Sequence, residues 1–576
     1  MERVMQIEVN NRPIEAQAGE TILAALKRAG LSVPTLCHME GLLPSGACRI
    51  CAVEVEGQRS LIPACSYPVA DGMKILTHSA RAVAARRTII ELLLSNHPDD
   101  CLYCVRNNNC QLQTLAAEHG IAQRRFSGLK SDHTIDISGP ALGRDPAKCI
   151  LCGKCVRECE EVQSVAAIDF IGRGSKTRVG PAFNEGLNLS SCILCGQCVM
   201  VCPTGALFEQ SHVKQVMAAI QDPEMTVVIQ HAPAVSVTLA EAFGLPAGQD
   251  IAGTLTAALR RLGFDYVFDT SFSADLTIME EASELVQRLT SGGTLPMMTS
   301  CSPGWIKFME EFYPDMLGHL STCKSPQQML GAVIKGYWAV KQGLDPSKVY
   351  SVSVMPCTAK KFEASRPEMV HDGIADIDAV LTTRELVQLI RMHGLDVLAL
   401  QAEDADRPFG ERSTAGKLFG GTGGVMEAAV RTACFLVTGQ DPEVMEVEAV
   451  RGLAGVKETR VKVGGLDLGL AVVSGLGNAR ALVEQVRQGR KDLHFIEVMT
   501  CPGGCIAGGG QLLGVDLAGV QRRLAGLYAI DAEGPIRMSH HNEAVAELYR
   551  EFLGQPLSER SHHLLHTHYH RRDVVR

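Results

Sequence analysis

The sequence predicts a multidomain chain, an α+β cysteine-rich first third followed by an α/β remainder with mainly parallel sheets. Three observations predict it. Fifteen of the 21 cysteines lie in the first 202 residues, in four groups with metal-ligand spacing. Two of those groups repeat C-x2-C-x2-C-x3-C, as duplicated ferredoxin halves do. Beyond Ser211, apolar strand-like runs alternate with helix-like stretches, the pattern of βα units.

The bulk numbers agree. A chain of 576 residues is too long for one core, and roughly three to five domains are expected. Hydrophobic content of 46% and charged content of 21% place it among globular proteins. A net charge of −9 without a basic block argues against a nucleic-acid partner. The start, Met1-Glu2-Arg3-Val4, has no apolar leader, and no apolar run reaches about 18 residues, so neither secretion nor a membrane span is expected. Closely spaced cysteines in such a chain read as thiolate ligands in a reducing cytoplasm.

Taken in order, residues 5–9, 51–55 and 74–76 read as strands and 21–29 as a helix of a small β-rich domain. Gly41, Pro44 and Gly46 break the chain between Cys37 and Cys48, so a loop holds those cysteines. Residues 80–94 form a helical pattern that stops at Asn96-His97-Pro98. Residues 101–140 are polar and irregular. Strand-like runs then fall at 226–230, 266–269, 295–299, 349–355, 379–381, 470–473 and 495–499, with helical patterns at 277–289 and 326–341. Parallel sheets place sites at the carboxyl ends of their strands. Ser300-Cys301, Pro356-Cys357 and Thr500-Cys501 all sit there.

The cysteine groups carry the chemistry. Cys149, Cys152, Cys155, Cys159 and Cys192, Cys195, Cys198, Cys202, the latter followed by Pro203, have the spacing that wraps two cubanes. The fourth cysteine of each run ligates the other cluster. Cys37, Cys48, Cys51 and Cys65 on loops of a β-rich domain favour a [2Fe–2S] cluster over a zinc knuckle, although C-x10-C-x2-C departs from the plant-type spacing. His97, Cys101, Cys104 and Cys110 offer one imidazole and three thiolates. Zinc is the rival there, and the neighbouring clusters tilt the reading to [4Fe–4S]. Cys301, Cys357, Cys501 and Cys505 are sparse, and buried packing competes with metal binding. Glu281 and Glu284 share one helical face, which taken alone reads as a solvated stripe. Neither Gly420-Gly421-Thr422-Gly423-Gly424 nor Gly475-Leu476-Gly477 completes a nucleotide fingerprint. Five histidines within 562–570 read as a solvated tail.

The three late segments resemble the signatures of the [FeFe]-hydrogenases. They are Thr299-Ser-Cys-Ser-Pro-Gly-Trp305, Met355-Pro-Cys-Thr-Ala-Lys-Lys-Phe-Glu363 and Glu497-Val-Met-Thr-Cys-Pro-Gly-Gly-Cys-Ile-Ala-Gly-Gly-Gly510. The resemblance covers essentially the whole chain and is to the large type with four accessory clusters. It implies a plant-ferredoxin-like β-grasp domain (1–79), a one-His/three-Cys cluster domain (80–139) and a bacterial two-[4Fe–4S] ferredoxin-like domain (140–211). A two-lobed catalytic domain (212–576) follows, ending in a segment from about 515 that includes the part forming a separate small subunit in some relatives. It also implies one [2Fe–2S] cluster, three accessory [4Fe–4S] clusters and an H-cluster. The H-cluster is a [4Fe–4S] cube bridged to a di-iron unit with CO, cyanide and a bridging azadithiolate.

In this reading Cys505 bridges, Cys357 and Cys501 hold the cube, Lys360 donates to a cyanide, and Met355, Pro356 and Met499 pack on the di-iron unit. Protons pass Glu284, Ser321 and Glu281, with Arg288 orienting Glu284. One departure stands out. Relatives usually have Cys-Cys before the proline, and here Cys301 is followed by Ser302. By register Cys301 is the proton relay and Ser302 the ligand, and a one-residue shift reverses the roles. Thr500, where relatives often have Ala, is a second departure. The activity implied is reversible 2H⁺ + 2e⁻ ⇌ H2, with ferredoxin or a flavin/NAD(P)-binding subunit as redox partner and with maturation proteins to supply the cofactor. The alternatives are a catalytic subunit of an NAD(P)-linked complex, a non-catalytic hydrogen sensor or iron–sulfur assembly protein, and an electron-input subunit like those of respiratory NADH dehydrogenases. The last would lack the three late motifs.

Overall fold

The computed structural model describes residues 4–128, 130, 134–443 and 446–574, so the polar start Met1–Arg3 lies outside the described residues. No helix among the described residues is long and apolar enough to cross a membrane.

The first unit is a five-stranded sheet in the order Arg12–Gln17, Val4–Val9, Lys74–Leu76, Ala52–Val55, Ile62–Pro63. The helix Ile22–Arg28 starts at Thr21, whose hydroxyl accepts from the Ala24 amide, and buries Ile22, Leu23 and Leu26 against Ile7, Val9 and Val53. Two strands escaped the sequence reading. Arg12–Gln17 lies at an edge and offers only Ile14 and Ala16 to the core, and Ile62–Pro63 is two residues long. The helix Ala80–Asn96 is tied to this sheet by the buried Arg86, which donates to the carbonyls of Ala52 and Thr77 at 2.7 Å each.

The duplicated cysteine runs fold alike. Each places a leucine and a glycine in the left-handed region: Leu151 (φ 53°) and Gly153 (φ 75°), then Leu194 (φ 60°) and Gly196 (φ 73°). A short helix follows each, Lys154–Arg157 and Gln197–Val201. Leu142–Arg144 pairs with Leu207–Glu209 and closes the unit.

The larger part is α/β in two lobes. One sheet runs Tyr266–Asp269, Thr226–His231, Val349–Met355, Ala379–Thr382, all parallel. The other runs Met297–Met298, Phe495–Met499, Leu466–Ser474, Val456–Val463, parallel except for the last pair. The edge strand Val456–Val463 was not anticipated, because its exposed, charged face hides the pattern. Each fully buried Val, Leu or Ile contributes about 1.5–3 kcal/mol relative to exposure. Many such residues line the core of the first lobe, among them Ile229, Val352 and Leu381.

A long helix, Thr270–Ser291, packs against Pro326–Val333 of the first lobe and Gly424–Thr438 of the second. It begins seven residues before the expected start at 277, capped by Asp269 accepting from the Ser271 amide at 2.8 Å. Its first turns are buried all round, so they show no helical periodicity. The expected helix at 326–341 is present but passes through a wider turn at Ile334–Trp338. The tail ends in Leu517–Glu533, Glu543–Leu548 and Glu559–Leu565.

Candidate active site and cluster sites

The strands Val349–Met355 and Phe495–Met499 end at one crevice, and Cys357 and Cys501 lie two residues beyond each end. Cys505 follows a turn in which Gly503 and Gly504 both have φ 90°, a conformation side chains resist. Cys301 precedes the helix Pro303–Phe312, for which Ser302 is the cap residue. All four cysteines line one cavity, together with Met355, Met499 and Lys360. Pro356 lines it too, and its carbonyl accepts from the Gly510 amide at 2.8 Å.

Burial drives every thiol in this cavity upward, Cys505 from 9.0 to about 12 and Cys301 and Cys501 further. At about 1.4 kcal/mol per tenfold, a bare Cys505 thiolate there costs about 4 kcal/mol. Thiols gathered where thiolates are that costly need a metal's positive charge, and soft sulfur donors in an apolar pocket suit iron. The one cation at the wall, Lys360, donates to Glu363 at 2.9 Å and to the Cys301 carbonyl at 3.1 Å. Glu363 lies one helical turn on, and Ser325 and Gln327 also donate to it. That i, i+3 pair was legible in the sequence and was missed.

The two departures from the family pattern meet. The Ser302 hydroxyl and the Thr500 hydroxyl are 2.7 Å apart. The Cys301 thiol instead interacts with the charges of Glu281, Cys505 and Lys360, which puts it on the acidic side of the cavity. Cys501 responds to Cys357 and Cys505.

The acids are buried, Glu281 at 2% exposure and Glu284 at 6%, which excludes a solvated stripe. Ser321 donates to Glu284 Oε2 at 3.0 Å, and Arg288 holds Oε1 at 2.6 Å. Burial, and then the charge of Glu284, lift Glu281 to about 8, with Ser321 partly offsetting the rise. Thr322, which no motif marked, also donates to Glu284 through its amide at 3.0 Å and its hydroxyl at 3.2 Å. Glu497, inside the third signature, is fully buried and accepts from the Gly423 and Met426 amides.

The accessory cysteines gather just as closely. One cavity is lined by Cys149, Cys152, Cys155 and Cys202, and a second by Cys159, Cys192, Cys195 and Cys198. Cys37 touches Cys48, and Cys51 touches Cys65. In each pair a hydrogen bond holds one thiol low, Cys37 and Cys65 respectively. His97 bonds the Pro98 carbonyl through Nδ1, and its buried Nε2 has no partner among the described residues, as in an imidazole oriented for a metal. A Cβ at Gly205 would stand 2.6 Å from Cys104 Sγ, which brings that group against the Cys202 run. Lys154 feels the charges of Cys152, Cys37 and Cys48 together. The second cysteine group therefore lies against the chain that follows Cys202, and the first lies near Lys154 of the Cys149 run. Cys195 lines the active cavity as well, so the second ferredoxin-like cavity and the catalytic one share a wall. The glycine run 508–510 packs backbone on backbone beside the cavity. A Cβ on Gly508 would meet the Pro356 carbonyl, and one on Gly509 the Cys195 carbonyl.

The solvated reading of the tail holds for His562, His563, His568 and His570, which are exposed, and is corrected at His566. Residues Glu559–Leu565 are helical, and His566 is buried at 7% exposure.

Comparison with known proteins agrees with this geometry. The signature "Iron only hydrogenase large subunit, C-terminal domain" matches residues 225–509, and "Iron hydrogenase small subunit" matches 518–572. A "2Fe-2S iron-sulfur cluster binding domain" matches 2–80, the "NADH-ubiquinone oxidoreductase-G iron-sulfur binding region" 86–125 and a "4Fe-4S dicluster domain" 148–206. The chain is 47% identical over 581 residues to the NADP-reducing hydrogenase subunit HndD of Solidesulfovibrio fructosivorans, covering 99% of each. It is 40% identical over 572 residues to iron hydrogenase 1 of Clostridium pasteurianum, covering 98% of this chain and 99% of that one. A solved variant of the [FeFe]-hydrogenase HydA1 from Chlamydomonas reinhardtii superposes with a TM-score of 0.57 at 42% identity, covering 63% of this chain and 99% of that one. Iron–sulfur domains before a catalytic domain of this kind, matched end to end by such relatives, make the chain a member of the iron-only, or [FeFe], hydrogenases.

Proposed function

We propose that this hydrogenase interconverts protons and electrons with H2 at the cavity of Cys357, Cys501 and Cys505, fed by four accessory clusters. The carrying observation is one apolar cavity lined by those thiols and by Cys301, with the buried Glu281, Ser321 and Glu284 outside its lining and Glu281 nearest Cys301. The accessory ligand sets are Cys37, Cys48, Cys51 and Cys65; His97, Cys101, Cys104 and Cys110; and the two four-cysteine cavities. When bound, the clusters supply one-electron transfer and the di-iron unit supplies the chemistry of making or splitting H2.

The chain's own residues do the rest. Cys357, Cys501 and Cys505 are the thiols that would hold the cube, with Cys505 also serving the di-iron unit. Lys360, fixed by Glu363, presents its ammonium to an anionic ligand at the cavity wall. Met355, Pro356 and Met499 exclude water from it. Glu281, neutral below about pH 8, holds a proton next to Cys301. Ser321 connects it to Glu284. Cys301 would be the last proton relay, and Ser302 the side chain that would complete the residues holding the cube. The pairing of Ser302 with Thr500 and the acid-side position of Cys301 support that assignment.

The redox partner we infer is a flavin- and NAD(P)-binding subunit. The end-to-end similarity to an NADP-reducing hydrogenase subunit supports it. Both glycine-rich segments of this chain are occupied in packing: the Gly423 amide bonds Glu497, and Gly477 abuts the Val162 carbonyl. Infrared spectroscopy of the maturated enzyme with a parallel hydrogen assay tests the main reading, and CO and cyanide bands with turnover are expected. Neither appearing after competent maturation would sink it. Full activity with ferredoxin alone, and no co-purifying flavoprotein, would overturn the partner.

A further inference from the structure

We propose that the C-terminal segment is a proton inlet to Glu284, running from His562 at the surface through His566 and Thr322. It rests on the reading that Glu284 and Glu281 carry protons.

The geometry is continuous. Backbone bonds from Lys324 N to the Leu565 carbonyl and from Thr567 N to the Thr322 carbonyl, 2.8 Å each, lay the tail beside residues 322–324. His566 is thereby fixed at both nitrogens. Nδ1 is 2.8 Å from the Thr322 hydroxyl, and Nε2 is 3.1 Å from Glu280 Oε2. The Thr322 hydroxyl is 3.2 Å from Glu284 Oε2, the same oxygen to which Ser321 donates. His562, one turn back on the helix and exposed, has its ring centroid 4.2 Å from that of His566.

The neighbours fit a carrier. Glu280 and Glu284 face the imidazole from the long helix, Cys323 and Thr322 from the strand beside the tail, Tyr549 from the preceding helix and His562 from its own. Burial opposes ionisation of Glu280, but His566, Ser561 and Tyr549 bond it and its net shift is downward. The Glu280 carboxylate against Nε2 fixes the ring so that Nδ1 faces the Thr322 hydroxyl. Arg288 cannot serve instead. Its donors go to Glu284 Oε1 and to the carbonyls of Thr294, Gly318 and Leu320, and a guanidinium does not release its proton in proteins.

The step balances without electrons. The imidazolium gives its Nδ1 proton to Thr322 Oγ as the Thr322 hydroxyl proton passes to Glu284 Oε2. Neutral His566 keeps its Nε2 proton on Glu280, and its bare Nδ1 swings from Thr322 towards the adjacent His562 ring to take up a proton that His562 exchanges with solvent. The Thr322 hydroxyl turns back to Glu284, and H2 oxidation runs the same steps backward.

The test uses the maturated holoenzyme with reduced viologen. Thr322→Val and His566→Gln should each slow hydrogen evolution about tenfold, less than a full acid–base contribution because Glu284 is itself 6% exposed. Both should enlarge the solvent deuterium effect while the CO and cyanide bands keep their positions. Thr322→Ser should restore the rate, and imidazole in the buffer should raise that of His566→Gln. Wild-type rates in Thr322→Val and His566→Gln, beside an arrested Glu284→Gln, overturn the inlet and leave the path through Glu284 standing. An unimpaired Glu284→Gln would instead remove the reading beneath it. A Thr322→Ser variant as slow as Thr322→Val refutes the hydroxyl's role. Should His566→Gln fail to load the di-iron unit, the Thr322 pair decides alone.

Discussion

The accessory region and the catalytic cavity both gather buried thiols, but they do so in opposite ways. In the Cys149–Cys202 pair of cavities, each site takes three ligands from one short run, positioned by a local left-handed turn at Leu151 and Gly153 or its copy. In the catalytic cavity the cysteines come from three separate segments, at 301, 357 and 501–505, and the ends of strands in two different sheets place Cys357 and Cys501. The first kind of site is built by local chain geometry. The second exists only once both lobes have folded, so its ligands answer to tertiary structure.

Four experiments put this contrast at risk. The largest effect is expected for Cys357→Ala, which should abolish hydrogen turnover and the cube's EPR signal while the accessory clusters keep their iron. Loss of accessory iron as well would mean the two kinds of site are not independent. Next comes Glu281→Gln, which should lower turnover by about 10²–10⁴-fold with infrared bands in place, the usual worth of a positioned proton carrier. The third is the pH profile. Glu281 is lifted from 4.5 to about 8, so it carries its proton below that value and loses it as pH rises through it. Hydrogen evolution should fall on an alkaline limb near pH 8, and that limb should vanish in Glu281→Gln. A limb unmoved in the variant assigns it elsewhere. The smallest effect is Thr500→Ala, which breaks the Ser302 hydrogen bond, normally worth about 0.5–1.5 kcal/mol. A few-fold change in rate with an altered cube EPR signal is expected, and an unchanged spectrum would separate Ser302 from the cube.

The contrast also explains what could be read in advance. The accessory ligands were visible because three or four of them share a dozen residues. The parallel strands were visible because buried strands are unbroken apolar runs, as in Val349–Met355. The sparse cysteines meant little until the family signatures were matched, because nothing local ties Cys301 to Cys505. Thr322, Glu280 and His566 had no signal at all. They meet through hydrogen bonds spanning up to 286 positions, and a histidine in a polar tail looks like any solvated residue. Arg12–Gln17 was missed for the opposite reason, since an edge strand buries too little to show a period.

The seam between the two regions has a kinetic meaning. At Gly509 and Gly196 the loop behind Cys195 and the loop after Cys505 touch backbone to backbone, and neither glycine has room for a methyl group. Gln197 adds a bond to the Ala507 carbonyl at 3.0 Å. Electron tunnelling decays steeply with separation, so a donor and an acceptor on independently breathing loops would exchange charge in bursts. Here contact between peptide planes and the Gln197 bond tie the two loops together, so widening the gap between them would cost those contacts.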